Sequence, residues 1–167
     1  MTEMRTLSCS IFCFFICVIC LGSQRNPNPP FSLAITVADQ SVKLGTQVRV
    51  TITLKNNSGH DIAINRSSVP GEAEFHYSVL LLDDDGKPVP GTKYWRILQG
   101  KEHETYTENV LSVTIHPNEE AKDDFALNKL FDLSKPGKYT LQVAREIPET
   151  LDKGLVKSNI LSLVITK

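Results

Sequence analysis

Four histidines, His60, His76, His103 and His116, are the side chains of this chain whose ordinary pKa suits general-base work near neutral pH. A serine or threonine nucleophile would need one of them beside it, oriented in turn by a carboxylate. None lies in a glycine-flanked serine motif. His60 and His116 fall at the ends of expected strands, where solvent is the usual neighbour, and His76 takes the polar phase of its segment. No two of them stand four residues apart, the spacing that puts two metal ligands on one helix face. The expectation is no catalytic set, no metal set and no cofactor.

Asp83-Asp84-Asp85-Gly86 has the residue types of a calcium loop, carboxylates followed by glycine. It lacks the Asp-x-Asp-x-Asp-Gly rhythm and a distal bidentate glutamate, and Asp with Gly is what a hairpin turn demands. The acidic run Glu119, Glu120, Asp123 and Asp124 reads as a solvated strand flank. Binding chemistry concentrates instead in an aromatic group, Tyr94, Trp95, His103 and Tyr106. Exposed, such rings stack on a sugar or anchor a partner protein; the competing reading places Trp95 in the core. Asn56-Asn57-Ser58 and Asn65-Arg66-Ser67 fit the glycosylation sequon but serve equally well as turn residues.

These side chains must be positioned by one domain, since 167 residues leave little room for two. The content of 41% hydrophobic and 22% charged residues is ordinary for a packed globular chain. Eighteen basic against nineteen acidic side chains give a net charge of -1, so no basic patch points to nucleic acid. Arg5 is followed by the apolar run Ile11 to Leu21, too short to span a bilayer, and by small residues at Cys20 and Gly22. That pattern is read as a cleaved signal peptide over 1–22, with a retained anchor as the alternative. The expected location is secreted or periplasmic, in a bacterial envelope, with membrane contact only through an uncleaved signal segment. Cys9, Cys13, Cys17 and Cys20 all fall in that segment, so the mature domain is expected to be free of disulfides.

A Pro/Asn-rich tether over 23–30 precedes the domain, expected over 31–167. Phe31, Leu33, Ile35 and Val37 alternate with polar or small residues, and Val48, Val50, Ile52 and Leu54 repeat the pattern, both predicting half-buried strands. Ile62 and Ile64 mark a short third strand. Glu74 to Leu82 reads as one strand with Phe75, Tyr77, Val79 and Leu81 on one face. After the Asp-Gly turn, Pro88 and Pro90 confine the return arm to an edge, and that arm is expected to continue as a strand through Tyr94 and Trp95 to about Gln99. Leu111, Val113 and Ile115 predict another strand. Leu130, Phe131 and Leu133 suggest a helical turn plugging the end of the core. Pro136-Gly137 then reads as a tight turn into a strand of Tyr139, Leu141 and Val143, and Val156 to Ile165 is the last strand. A tyrosine placed as Tyr139 is, just after a corner, matches the corner tyrosine of β-sandwiches. No long helical window competes. The expected fold is all-β, a Greek-key sandwich of eight or nine strands, with an open barrel as the alternative.

Two stretches, V-R-V-T-I-T-L-K-N-N-S at Val48 to Ser58 and L-S-K-P-G-K-Y-T-L-Q-V at Leu133 to Val143, resemble those of bacterial immunoglobulin-like or fibronectin-III-like sandwich domains. The chain is also similar to the bacterial intracellular proteinase inhibitor family. The resemblance covers Phe31 to Lys167 and implies a fold rather than an activity. The chain departs from antibody domains in lacking paired cysteines and a third-strand tryptophan, and its export signal argues against inhibition of a cytoplasmic protease. The functional expectation is a non-catalytic binding or adhesion module for a protein or a surface glycan, acting through the aromatic group or by strand addition along Lys87 to Leu98. An exported protease inhibitor presenting 145–154 or 100–108, and a structural envelope component, are the alternatives.

Overall fold

The computed structural model describes residues 29–104 and 106–167. The expected signal segment, its four cysteines and tether residues 23–28 lie outside the described residues. Period-two patterning becomes sheet where it was strongest. Strand β1 (Phe31–Val37) buries Phe31, Leu33 and Ile35 and pairs antiparallel with β3 (Arg49–Asn56), which buries Val50, Ile52 and Leu54. The far edge of β3 pairs with β7 (Glu120–Ala126), giving the sheet order β1-β3-β7.

The second sheet runs β2-β10-β8-β5. Its central strand β8 (Gly137–Glu146) is flanked by β10 (Leu161–Thr166) and β5 (Ser78–Leu82), while β2 (Ser41–Lys43) adds to β10 in parallel. Strand β9 (Leu155–Lys157) pairs with the end of β8. A separate ribbon joins β4 (Ile62–Ser67) to β6 (Val110–Ile115). Inward side chains of both sheets and of the ribbon form one core that includes Ile35, Leu54, Phe125, Leu81, Leu141, Leu163, Ile62 and Ile115. Each such side chain is worth about 1.5–3 kcal/mol against its exposed state. No helix among the described residues is long and apolar enough to cross a membrane.

Several expectations are corrected. Glu74 to Leu82 is not one strand: Ala73–His76 forms a 3-10 turn, closed by Tyr77 N donating to Glu74 O, and only Ser78–Leu82 is extended. Residues Lys87 to Leu98 do not form an edge strand. After a single bridge between Leu82 and Pro88, the prolines leave too few donors for a ladder, and Thr92 starts helix α1 (Lys93–Leu98). The acidic flank at 120–126 is itself the strand β7. On β6 only Ile115 is buried, and Leu111 is 54% exposed. The last strand is broken at Ser158 to Ile160 into β9 and β10. Gly137 has no left-handed backbone and opens β8 instead of making a tight turn; its neighbour Lys138 N donates to Asp84 Oδ2 at 3.0 Å. The expected helical plug lies earlier than expected, as α2 (Leu127–Leu130), which contains Leu130 but not Phe131 or Leu133; all three are buried, with Leu127.

Side-chain amides finish what backbone pairing leaves open. Asn56 Nδ2 donates to His60 O at 2.8 Å and Ile115 O at 2.9 Å, and its Oδ1 accepts from Ser58 N and Oγ. That fastens the end of β3 to the ribbon. Asn159, in the break between β9 and β10, accepts from Ile35 N at 2.8 Å and donates to Ile35 O at 3.2 Å, so an amide side chain stands in for a strand partner of β1. Tyr139 Oη donates to Lys135 O at 2.8 Å, the corner bond that its position suggested.

Tyr139→Phe deletes one neutral hydrogen bond and is expected to cost about 1 kcal/mol. Asn56→Ala strips the buried Ile115 O, the half-buried Ser58 N and also His60 O of a partner at once and should cost clearly more. Urea unfolding of the three proteins checks the order; an unchanged midpoint for Tyr139→Phe would show the corner bond to be dispensable.

Candidate ligand cleft

Helix α1 decides the fate of the expected aromatic group. Thr92 caps it, Oγ1 accepting from Trp95 N at 3.2 Å and donating to Lys129 O at 2.6 Å. The cap turns Trp95 inward, where it is 6% exposed and its ring lies 6.1 Å from Phe131. Gly91 sits so close that an added Cβ would stand 2.6 Å from Trp95 Cδ1. Trp95 is therefore core, which corrects its placement in an exposed platform. Tyr106 is 58% exposed and packs edge-on to half-buried Tyr94 at 5.3 Å, with Phe75 at 6.3 Å on its other side. His103 is exposed, and among the described residues no ring contact joins it to these three. The structure thus keeps Tyr94 and Tyr106 together, adds Phe75, and separates off Trp95 and His103.

Behind Tyr94 lies Glu74, 1% exposed. Its Oε1 accepts from Tyr94 Oη at 2.8 Å and lies 3.4 Å from Lys129 Nζ, which also stands 5.1 Å over the Tyr94 ring. Burial first, then donation to Glu74, pushes the Tyr94 hydroxyl up from its ordinary pKa. The Asp83–Asp85 carboxylates already have protein partners: Asp83 Oδ1 accepts from Asp85 N and Lys87 N, Asp84 Oδ2 accepts from Lys138 N, and Asp85 pairs with Lys87. Among the described residues no group of three or more His, Cys, Asp or Glu is arranged to hold a metal ion.

The most developed recess is elsewhere, between the ribbon, the 3-10 turn and the loop after β8. It has a volume of about 690 Å³ and is walled by Asn65, Ser112, His76, Tyr77, Arg145 and Pro148, among others. Arg145 follows Tyr139, Leu141 and Val143 in the inward phase of β8, so the register drives a guanidinium into the end of the core, 6% exposed. It stacks 5.0 Å over the Tyr77 ring, Nη2 donates to Asn65 O, and Nη1 is buried without a partner.

The neighbouring charges are committed elsewhere. Asp123 accepts from Tyr77 Oη at 2.7 Å and from Arg66 Nε at 2.6 Å, which also ties β4 to β7. His76 Nε2 and Glu108 Oε1 are 2.9 Å apart without hydrogen-bonding alignment. Burial, and then the Arg145 charge, hold His76 below its ordinary pKa of 6.5; burial, and then Glu74, raise Glu108. Sequence reasoning missed Arg145 because a charged residue entering a polar hairpin reads as exposed. Counting the phase of β8 two residues past Val143 was the signal that could have found it.

No family model matches the chain, and no curated protein matches it significantly. Among solved structures it is similar to the CARDB domain of a Pyrococcus furiosus protein in complex with di-metal ions, at 11% identity over 82% of this chain and 93% of that one, TM-score 0.44. It is also similar to Spo0M, the sporulation control protein of Bacillus subtilis, at 13% identity over 84% of this chain and 51% of that one, TM-score 0.45. A β-glucosidase of Listeria innocua in complex with glucose gives 16% identity over 82% and 16% of the two chains, TM-score 0.43. At these scores the likenesses carry no argument about family or activity.

Trp95→Ala should lower stability by about 3–5 kcal/mol in urea unfolding, since it empties a core site. A loss below about 1 kcal/mol, typical of an exposed position, would contradict the burial described. His76 gives a pH prediction. Its folded pKa lies below 6.5, so the unfolded chain takes up the proton first as pH falls, and the native state loses stability from about pH 6.5 downward. His76→Gln should lose less than the parent between pH 7 and 5; equal losses would remove His76 from the account.

Proposed function

We propose that this chain is an exported, immunoglobulin-like binding module that catalyses nothing and seats a partner protein or surface glycan in the cleft beside Arg145. The corner bond of Tyr139 and the two antiparallel-dominated sheets around one core support the immunoglobulin-like reading. The apolar run Ile11 to Leu21 supports export. The observation that carries the binding reading is the recess itself. Its volume of about 690 Å³ falls within the range of about 300–1,000 Å³ usual for ligand pockets, and it ends on a buried guanidinium with one nitrogen, Nη1, left without a hydrogen-bond partner.

Stacking on an aromatic platform has less to recommend it once Trp95 fills the core, because the two exposed rings of that group, Tyr106 and His103, share no ring contact among the described residues. The inhibitor reading is weakened as well. The loop after β8 folds on itself, with Leu151 N donating to Pro148 O at 2.8 Å and Ile147 N to Gly154 O at 2.9 Å, and Leu151 packs against the core. A standard inhibitory loop is extended and held out for the protease.

A photo-crosslinking residue at Thr150, on the cleft wall, tests the proposal against a control at Lys43 on the exposed strand β2. In the native host envelope the full chain should give a discrete adduct from Thr150 and none from Lys43. Equal labelling at both sites, or none from either, would overturn it.

A further inference from the structure

We infer that the cleft takes an extended peptide bearing a single acidic side chain, its backbone pairing with Ala63 and the Asn65 N–H at the cleft end of β4 and its carboxylate on Arg145 Nη1. The inference rests on the binding-module reading above. Two independent observations carry it.

The first is the state of Arg145. Removing a guanidinium from water is costly unless a counter-charge and hydrogen bonds replace the solvent. Here one nitrogen has a carbonyl, one ring face has Tyr77, and Nη1 has nothing. Among the described residues no carboxylate forms an ion pair with it: Asp123 is held by Tyr77 and Arg66, and Glu108 lies against His76. The two N–H donors of Nη1 lie on one nitrogen, which a ligand carboxylate can satisfy with a charge-assisted hydrogen bond.

The second is the short stretch of β4 edge beside it, at Ala63 and Asn65 N, that the 3-10 turn and Arg145 leave uncovered. Ser68 N donates to Asn109 O, and these residues continue the β4–β6 register. In an antiparallel ladder, hydrogen-bonded positions alternate, so Ile62, Ile64 and Arg66 point their backbone groups at β6. Ala63, Asn65 and Ser67 therefore point theirs the other way. The one such carbonyl with a described partner, Asn65 O, confirms the direction by accepting from Arg145. Ala63 and Asn65 both line the cleft. An unpaired strand edge beside a buried cation selects an extended peptide with an acidic residue over a sugar acid, which would use the cation and leave the edge unpaired. Glu146 and Glu149 also line the recess and are exposed, so they oppose a run of acidic residues and favour one carboxylate flanked by neutral ones.

The probes are two hexapeptides of valine and threonine that differ only in a central glutamate or glutamine, titrated into the isotope-labelled full chain and followed by backbone-amide NMR. The glutamate peptide should bind at least about tenfold more tightly. It should shift the Ala63 and Asn65 amides, and lose both effects when its pairing nitrogens are methylated. Arg145→Met should bring the two peptides to one weak affinity. If that variant unfolds, the two peptides on the parent chain still decide the matter. Equal affinities, or shifts away from β4, would overturn the inference. Digalacturonate shifting the Arg145 surroundings where the peptide does not would overturn it in favour of an acidic glycan. No binding by either peptide, alongside an intact Thr150 adduct, would sink the peptide and leave the binding module standing.

Discussion

The inward register of β8 is the constraint on which the rest depends. This strand carries β10 and β9 on one flank and β5 on the other, so it joins more strands than any other among the described residues. Its inward side chains are Tyr139, Leu141, Val143 and Arg145, apolar in the middle and polar-headed at each end. Both heads reach backbone carbonyls, Tyr139 that of Lys135 and Arg145 that of Asn65. A shift of one residue would expose Leu141 and Val143 and bury Thr140 and Gln142, so the strand has one workable register. Once that register is set, the position of the guanidinium at the open end of the core follows without further choice.

The connections around this strand are closed by side chains that imitate backbone. Asn159 supplies a donor and an acceptor to Ile35 where β9 and β10 part, and Asn56 does the same for the turn joining β3 to the ribbon. An amide is suited to the task because it presents one donor group and one acceptor in the geometry of a peptide unit. Such amides matter most where a strand must break, because a buried peptide group left bare costs more than a formed hydrogen bond returns. The Asn56 sequon is therefore turn chemistry: its nitrogen is spent inside the protein.

Strands were legible where alternation was uninterrupted, as in β1, β3 and β8, because period two has a single structural meaning there. The corner role of Tyr139 was legible for a similar reason, since a tyrosine just after a chain reversal has a carbonyl within reach. The misreadings share one cause. Phe75 and Tyr77, or Tyr94 and Trp95, supply apolar residues at spacings that fit a strand or a single helical turn equally well, and length was needed to separate them. Thr92 was the missed cue, a cap residue directly after Gly91 with a helix-compatible run behind it. The candidate site was hardly legible. Tyr94 and Tyr106 do meet, but Phe75 joins them from a distant turn, and the cleft depends on a charged residue lying in an apolar phase.

Two buried charges of opposite sign stand near Tyr77 without meeting. Glu74 keeps Oε2 unpaired and Arg145 keeps Nη1 unpaired, and each is nearly removed from solvent. Joined, they would satisfy each other and remove much of the desolvation cost that each bears alone. The 3-10 turn keeps them apart by sending Glu74 toward Tyr94 and Lys129, while His76, two residues on, faces Glu108. Glu74 is partly compensated there by a lysine and a hydroxyl. Arg145 bonds a carbonyl and stacks on a ring face, and the Glu108 carboxylate feels its charge without pairing with it. Of the two, the guanidinium is the group still short of a counter-ion, and it is also the one that borders the larger recess. A ligand carboxylate entering there would replace the missing partner instead of competing with an existing one. This is the physical reason to place recognition at Arg145 and to treat Glu74 as part of the framework.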